Sequence, residues 1–334
     1  MKTWGSNYGL LMVAILASQC SLALGQWVEP VCQYRFDETG TNAVNSGSSD
    51  VPLAFFDTSS NLVDLHSADG KGVSGLTEDR CMDNRTATAM GVGGIGGRGV
   101  IPEGFDGAAS FSSFTLECWF KAVTPIAAAA RLLDAGTYVA YAGSDPGNVW
   151  LQVNKQDVAS GTAYAATNQW VFFAVTYDST LASDNVVFYR GTTTSPVVPV
   201  VKQTLQAGVV TNRNPVGVGN LYYGNFRPLR GEIDNARIFA SASGNAGAAT
   251  LRQLEFLRAG DVAHMYQILL KNPAHAKEGF TFDLSTVSGW NYTVVRSTNL
   301  VDWLTLTNFA GNGAPAVVGD SGQLPGAYYR VIAN

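Results

Sequence analysis

Between residues 31 and 239, apolar and polar positions alternate in short runs, and clusters of Gly, Asn, Asp, Ser and Pro separate the runs. This period-two pattern predicts strands at 31–36, 111–121, 148–153, 170–177, 185–190 and 231–239. Within 111–121, Phe114, Leu116, Cys118 and Phe120 share one face and Thr115, Glu117, Trp119 and Lys121 share the other, and one of these faces is predicted to be core. Residues 170–177 (WVFFAVTY) have no polar face for most of their length, which predicts a central strand covered on both sides.

The pattern changes after residue 248. Thr250 with Gln253 forms a capping box ahead of Leu251, Leu254 and Leu257. Asp261 is placed to cap a second turn carrying Val262, Met265 and Leu269, stopped at Asn272-Pro273. The expectation is two short helices packed on the sandwich. Strand-like runs return from residue 280, with turn signals at Gly311-Asn312-Gly313 and Pro325-Gly326. The predicted fold class is therefore all-β: a β-sandwich at 26–245, a short helical connector at 246–276 and a second small β domain at 277–334.

Composition agrees with a packed, turn-rich β protein, since only 14% of the 334 residues are charged, 46% are hydrophobic and 36 are Gly. A net charge of −5 provides no field for a phosphate backbone, so nucleic acid is excluded as the expected partner. Lys2, the apolar stretch 10–17 and Ala23-Leu24-Gly25 read as a signal peptide at 1–25, cleaved after Gly25. A lipoprotein reading through Cys20 would need a small residue where Gln19 stands. The leader is too short to span a bilayer, and no later run approaches the ~20 apolar residues of a transmembrane helix. The expected location is secreted, extracellular or at the cell surface. Without Cys20, Cys32, Cys81 and Cys118 remain, an odd number that permits at most one disulfide within the chain, in three alternative pairings. His66, His264 and His275 are scattered and lack zinc-site spacing. A formal G-x-G-x-x-G at Gly91, Gly93 and Gly96 runs into Pro102 and Gly104 rather than a helix, and reads as a loop.

Five segments, in order, resemble the laminin G-like jelly-roll superfamily, also called the concanavalin A-like lectin/glucanase fold. They are Tyr34-Arg-Phe-Asp-Glu38 with Gly40, then Phe114-Thr-Leu-Glu-Cys-Trp-Phe-Lys121, Gln169-Trp-Val-Phe-Phe-Ala-Val-Thr-Tyr-Asp178, Val186-Val-Phe-Tyr-Arg-Gly191 and Gly231-Glu-Ile-Asp-Asn-Ala-Arg-Ile-Phe239. The resemblance implies a jelly-roll sandwich, and lectins, adhesion modules and glycosidases all occur on it. It also implies a structural Ca²⁺ held by Asp234 of the closing strand, with Asp37 of the opening strand as a weaker partner. Glycosidases of this fold carry E-x-D-x-x-E; here Glu232-Ile-Asp234-Asn-Ala-Arg237 places a guanidinium where the acid/base should stand, and Arg does not release a proton at working pH. The segment from Tyr292 to Trp303, with Tyr328-Tyr329-Arg330, is similar to a short C-terminal β module of secreted bacterial proteins.

Sugar recognition uses flat rings beside hydrogen-bonding side chains. Tyr138, Tyr141, Trp150, Tyr222, Tyr223 and Phe226 fall at predicted strand ends or in Gly/Asn-rich loops and are the candidate glycan-binding residues, whereas Trp119, Trp170 and Phe173 are expected in the core. The expected function is a secreted, non-catalytic glycan-binding or adhesion protein with a polysaccharide or surface glycan as partner. The alternatives are a glycosidase with an unrecognised site, or a structural component of the cell surface.

Overall fold

The structure is a computed structural model that describes residues 29–334 apart from 104, 106–109, 127, 212–213, 265–269, 277–278, 285, 287–290, 313, 323–326 and 334. The signal peptide expected at 1–25 therefore lies outside the described residues.

The chain begins with β1 (Cys32–Tyr34), β2 (Asn42–Ala43), β3 (Leu53–Phe56), β4 (Met82–Asp83) and β5 (Arg98–Ile101). It continues through β6 (Ser113–Ala122), β7 (Arg131–Asp134), β8 (Tyr138–Ala142), β9 (Val149–Val153) and β10 (Gln156–Ala159). Then come β11 (Val171–Asp178), β12 (Val186–Thr192), β13 (Val198–Gln203), β14 (Val216–Val218), β15 (Gly231–Ser241) and helix α1 (Leu251–Val262). The first sheet runs β1-β15-β6-β11-β12-β13, with β4 also paired to β15, and the second runs β10-β9-β8-β7-β14-β5-β3-β2. The non-sequential neighbours and antiparallel pairing are those of a jelly-roll sandwich. β11 is central in its sheet and buried along its whole length, as its unbroken apolar run predicts.

Alternation along the strands sets the core. Phe114, Leu116, Phe120, Phe173 and Val175 of the first sheet meet Tyr138, Ala140, Leu151, Val153, Val216 and Val218 of the second. The other face of β6 is buried too: Trp119 is in the core, as expected, and Thr115 and Glu117 are buried beside it. The cause is α1: Leu254 and the preceding Ala249 cover Trp119, Phe172, Ala174 and Tyr189, forming a second apolar layer. Trp170, expected in the core, is half-buried just before β11, with the Lys121 ammonium 5.5 Å from its ring.

The predicted capping box is present, with the Gln253 N–H donating to Thr250 Oγ1 and the Thr250 N–H donating to Gln253 Oε1. Among the described residues, no second helix follows Asp261. Asp261 lies in the last turn of α1, where its carboxylate accepts hydrogen bonds from Trp119 Nε1 (2.8 Å) and Arg237 Nη1 (2.9 Å), so it is not available as a cap. Met265 and Leu269 lie outside the described residues, and Leu270–Ala276 is a strand. An acidic residue in a last turn opposes the helix dipole, and the Arg237 guanidinium offsets that. Arg237 also donates to Glu117 Oε2 (2.8 Å), so a fully buried Glu117–Arg237–Asp261 cluster fixes α1 to β6 and β15.

The chain divides into two compact units, with the boundary after His264. The second unit holds β16 (Leu270–Ala276), β17 (Gly279–Leu284), β18 (Asn291–Ser297), β19 (Leu304–Ala310), β20 (Ala316–Asp320) and β21 (Tyr328–Ala333). Two three-stranded sheets, β16-β17-β20 and β19-β18-β21, enclose Phe282, Leu284, Tyr292, Val294 and Val318. Asp320 of one sheet accepts hydrogen bonds from Arg296 (2.7 Å) and the Tyr329 hydroxyl (2.8 Å) of the other.

Cys32, Cys81 and Cys118 are buried, and none of them forms a disulfide among the described residues. Among the described residues, no helix is long and apolar enough to cross a membrane.

Candidate functional site

Two groupings outside the main core carry chemistry. The larger is the outer face of the second sheet. In β9, Val149, Leu151 and Val153 point inward, so Trp150 and Gln152 point out. In β8 the same parity puts Tyr141 outside, directly opposite Trp150, with ring centroids 6.3 Å apart. Tyr138 is three residues from Tyr141 and therefore on the opposite face. It is 1% exposed and packs on Phe111 and Phe114, so its assignment as a glycan-binding residue is corrected to core.

Polar groups fix the outward rings. The Tyr141 hydroxyl donates to Asp157 Oδ1 (2.9 Å), which also accepts from Gln152 Nε2 (3.0 Å). Burial and the Asp157 carboxylate push the Tyr141 phenol up to about 12, so it stays a donor at neutral pH. On the next strand, the Arg131 guanidinium lies 4.8 Å over the Tyr141 ring and donates to Asp134 (2.7 Å).

A loop at 219–230 brings the remaining candidates to this face. Val216 and Val218 are core, so Gly217 faces outward, and a Cβ there would lie 2.3 Å from Asn220 O and 2.5 Å from Tyr222 N. Only a residue without a side chain lets the loop lie so close to the sheet. Asn220, fully buried, closes the loop by accepting from the Leu221 and Arg227 amides and donating to Gly96 O. The loop is tied to β7 through Arg131 N–H donating to Arg227 O. Tyr222 is half-buried beside Gly136, while Tyr223 is 64% and Phe226 46% exposed. Their centroids form a chain, 4.9 Å from Tyr222 to Tyr223 and 6.2 Å from Tyr223 to Phe226. Tyr141, Trp150, Tyr222 and Tyr223 thus share one face, with β7 between the two ring groups. Three strand spacings separate β9 from β14, about 14 Å. Arg131, Gln152 and Asp157 are site residues that the sequence reading missed, although the alternation of 149–153 was a usable signal for Gln152.

The second grouping is a cation-type cluster. Asp37, Asp79 and His264 bring one ligand atom each within 4.8 Å of one another. Asp37 was expected here, but its expected partner Asp234 is not in the group. Asp234 is fully buried, and its two oxygens accept from the Val73 amide (2.8 Å) and the Asn235 amide (2.7 Å). Burial, reinforced by Asp79, pushes the Asp234 carboxyl well above the usual carboxylate range. Burial also raises Asp37, to about 6, and raises Asp79. Ca²⁺ takes six to eight oxygen ligands, whereas the described residues converge two carboxylates and an imidazole. These side chains alone supply fewer oxygens than Ca²⁺ takes, so the calcium implied by the resemblance would also need the backbone carbonyls expected with it.

The carboxylates of the E-x-D stretch are engaged elsewhere. Glu232 is buried against Lys121 Nζ (2.8 Å) and Arg85 Nε (3.4 Å), and Arg237 is held in the cluster under α1.

Residues 100–246 match the family model of the concanavalin A-like lectin/glucanases superfamily, the jelly-roll superfamily that the strand motifs resemble. No curated protein matches the chain. Among solved structures, a presumed carbohydrate-binding protein from Bacteroides ovatus is 14% identical (TM-score 0.36), covering 66% of this chain and 56% of its own. A SAP-like pentraxin from Limulus polyphemus is 13% identical (TM-score 0.32), covering 67% of this chain and 83% of its own. The CBM40 of a Ruminococcus gnavus IT-sialidase, bound to α2,3-sialyllactose, is 13% identical (TM-score 0.35), covering 52% of this chain and 98% of its own.

Proposed function

We propose that the protein is a secreted, non-catalytic glycan-binding protein that takes a polysaccharide or surface glycan on the outer face of its second sheet. One observation carries this reading. Trp150, Tyr141, Tyr222, Tyr223 and Phe226 present ring surface on one face, interleaved with Arg131, Gln152 and Asp157. Rings of this kind offer flat apolar area to the C–H face of a pyranose, while guanidinium, amide and carboxylate groups exchange hydrogen bonds with its hydroxyls. A non-catalytic role is favoured because Glu232 is taken up by Lys121 and Arg85, Arg237 by a buried ion pair, and Asp234 by backbone amides. The leader-like residues 1–25 support secretion.

Retention on a panel of immobilised polysaccharides tests the reading. The wild type is expected to be retained without releasing reducing ends, and Trp150→Ala or the Tyr222→Ala/Tyr223→Ala double variant to elute freely while melting near the wild-type temperature. Release of reducing ends would make the protein an enzyme. Retention unchanged in both variants would move binding off this face. Intact mass of the exported protein beginning at Gln26 tests the secretory part.

A further inference from the structure

Asp37 follows β1, Asp79 lies in the segment leading into β4, and His264 immediately follows the Ala263 C-cap of α1. Three distant stretches of chain therefore bring donor atoms to one point. Asp79 is 0% exposed; its Oδ2 accepts from the amide and hydroxyl of Ser74, but its Oδ1 has no hydrogen-bond partner. That oxygen faces His264 Nδ1 at 3.7 Å, too far for a hydrogen bond. Asp37 Oδ1 is likewise buried and without a hydrogen-bond partner. Gly72 makes the approach feasible, since a Cβ there would lie 2.0 Å from Asp79 Oδ1. Leaving a buried carboxylate oxygen without a hydrogen bond is expensive, and two carboxylates that each carry one, brought within 4.8 Å of an imidazole, form an arrangement that a cation completes.

The donor types select the cation. Two carboxylates with one imidazole suit a borderline divalent ion, which accepts mixed nitrogen and oxygen ligands in four-coordinate sites and leaves room for water. Bonds of ~2.1 Å place neighbouring donors ~3–4 Å apart, so a set spanning 4.8 Å needs an inward shift of about 1 Å. We propose that Asp37, Asp79 and His264 bind a divalent transition-metal cation of the zinc class, joining the first strand and the 64–81 segment to the end of α1. The site lies apart from the aromatic face and is independent of glycan binding.

The test uses exported protein stripped with chelator and dialysed, then given Zn²⁺, Ca²⁺ or Mg²⁺ separately, with bound metal counted by elemental analysis and stability read by thermal melting. Zn²⁺ is expected to bind at one ion per chain and to raise the melting temperature more than Ca²⁺ or Mg²⁺. His264→Gln and Asp79→Asn are each expected to weaken Zn²⁺ binding at least 100-fold, and His66→Ala to leave it unchanged. His264→Gln keeps the test decisive if Asp79→Asn does not fold, because His264 is only half-buried. Stabilisation by Ca²⁺ equal to or greater than that by Zn²⁺, undiminished Zn²⁺ binding in His264→Gln, or no stabilisation by any of the three ions would overturn the proposal.

Discussion

The outer faces of the two sheets begin from the same strand alternation and end in opposite states. On the first sheet, Glu117 and Trp119 are sealed beneath α1, and their polar atoms are answered by Arg237 and Asp261. On the second sheet, Tyr141 and Trp150 are covered only partly, while Tyr223 and Phe226 stand in solvent. An outward aromatic is thus structural where a helix covers it and available where only a loop crosses. The loop over Gly217 adds exposed rings to its face, whereas α1 removes the outward rings of the first sheet from solvent.

The sharpest way to break this contrast is Asp261→Ala. It would leave the Arg237 charge buried with a reduced set of partners and remove the acceptor for Trp119 Nε1, so a loss of about 3–5 kcal/mol is expected in urea unfolding. A loss below ~1 kcal/mol would mean that α1 is held by its apolar contacts alone. Tyr138→Ala should fall in the same range, ~3–5 kcal/mol, as a large-to-small change in the sandwich core. It should leave glycan retention intact per folded molecule; retention lost at full stability would return Tyr138 to the binding face.

A smaller effect concerns pH. Burial pushes Glu117 up to about 8 and Asp37 up to about 6, so the folded state holds protons that the unfolded chain has already released. Stability from these groups is present below their ordinary values near 4 and is lost as pH rises through about 6 and then about 8. Unfolding free energy should therefore decline from pH 5 to pH 8, and Glu117→Gln should flatten the upper part of that decline. An unchanged slope in the variant would remove Glu117 from the account. The smallest expected effect is on the stability of Tyr223→Ala, within ~0.5 kcal/mol of wild type, because the ring is largely in solvent. A clearly larger loss would show that the loop rings serve packing.

Much of the sandwich was legible because strand alternation is local. Residues 113–122 and 171–178 could be assigned from their own pattern, and Trp150 sits outward as Val149 and Leu151 require. Tyr138 was misplaced by treating strand-end position as a sign of exposure when parity with Ala140 already put it inside. The buried face of Glu117 was not legible, because its cover comes from α1, more than a hundred residues later, and nothing near Glu117 encodes that contact. The same holds for the cation cluster. Metal-site spacing is a rule about neighbours on one loop or helix, and Asp37, Asp79 and His264 share neither. Asp261 shows the opposite failure, a local capping signal overridden by tertiary contacts, because its carboxylate accepts from Arg237 and Trp119 instead.

The three buried thiols give the protein an internal clock. Burial suppresses the thiolate of both Cys81 and Cys118, and the thiolate is the form that attacks an alkylating or disulfide reagent. Modification therefore waits for the chain to open, and its rate reports how often each part does so. Cys81 sits where the 64–81 segment meets β4, whereas Cys118 lies mid-strand in β6 between both sheets. Labelling at Cys81 should register partial opening of that segment, and labelling at Cys118 should register rupture of the sandwich itself. The same delay would keep these buried thiols from cross-linking one molecule to the next.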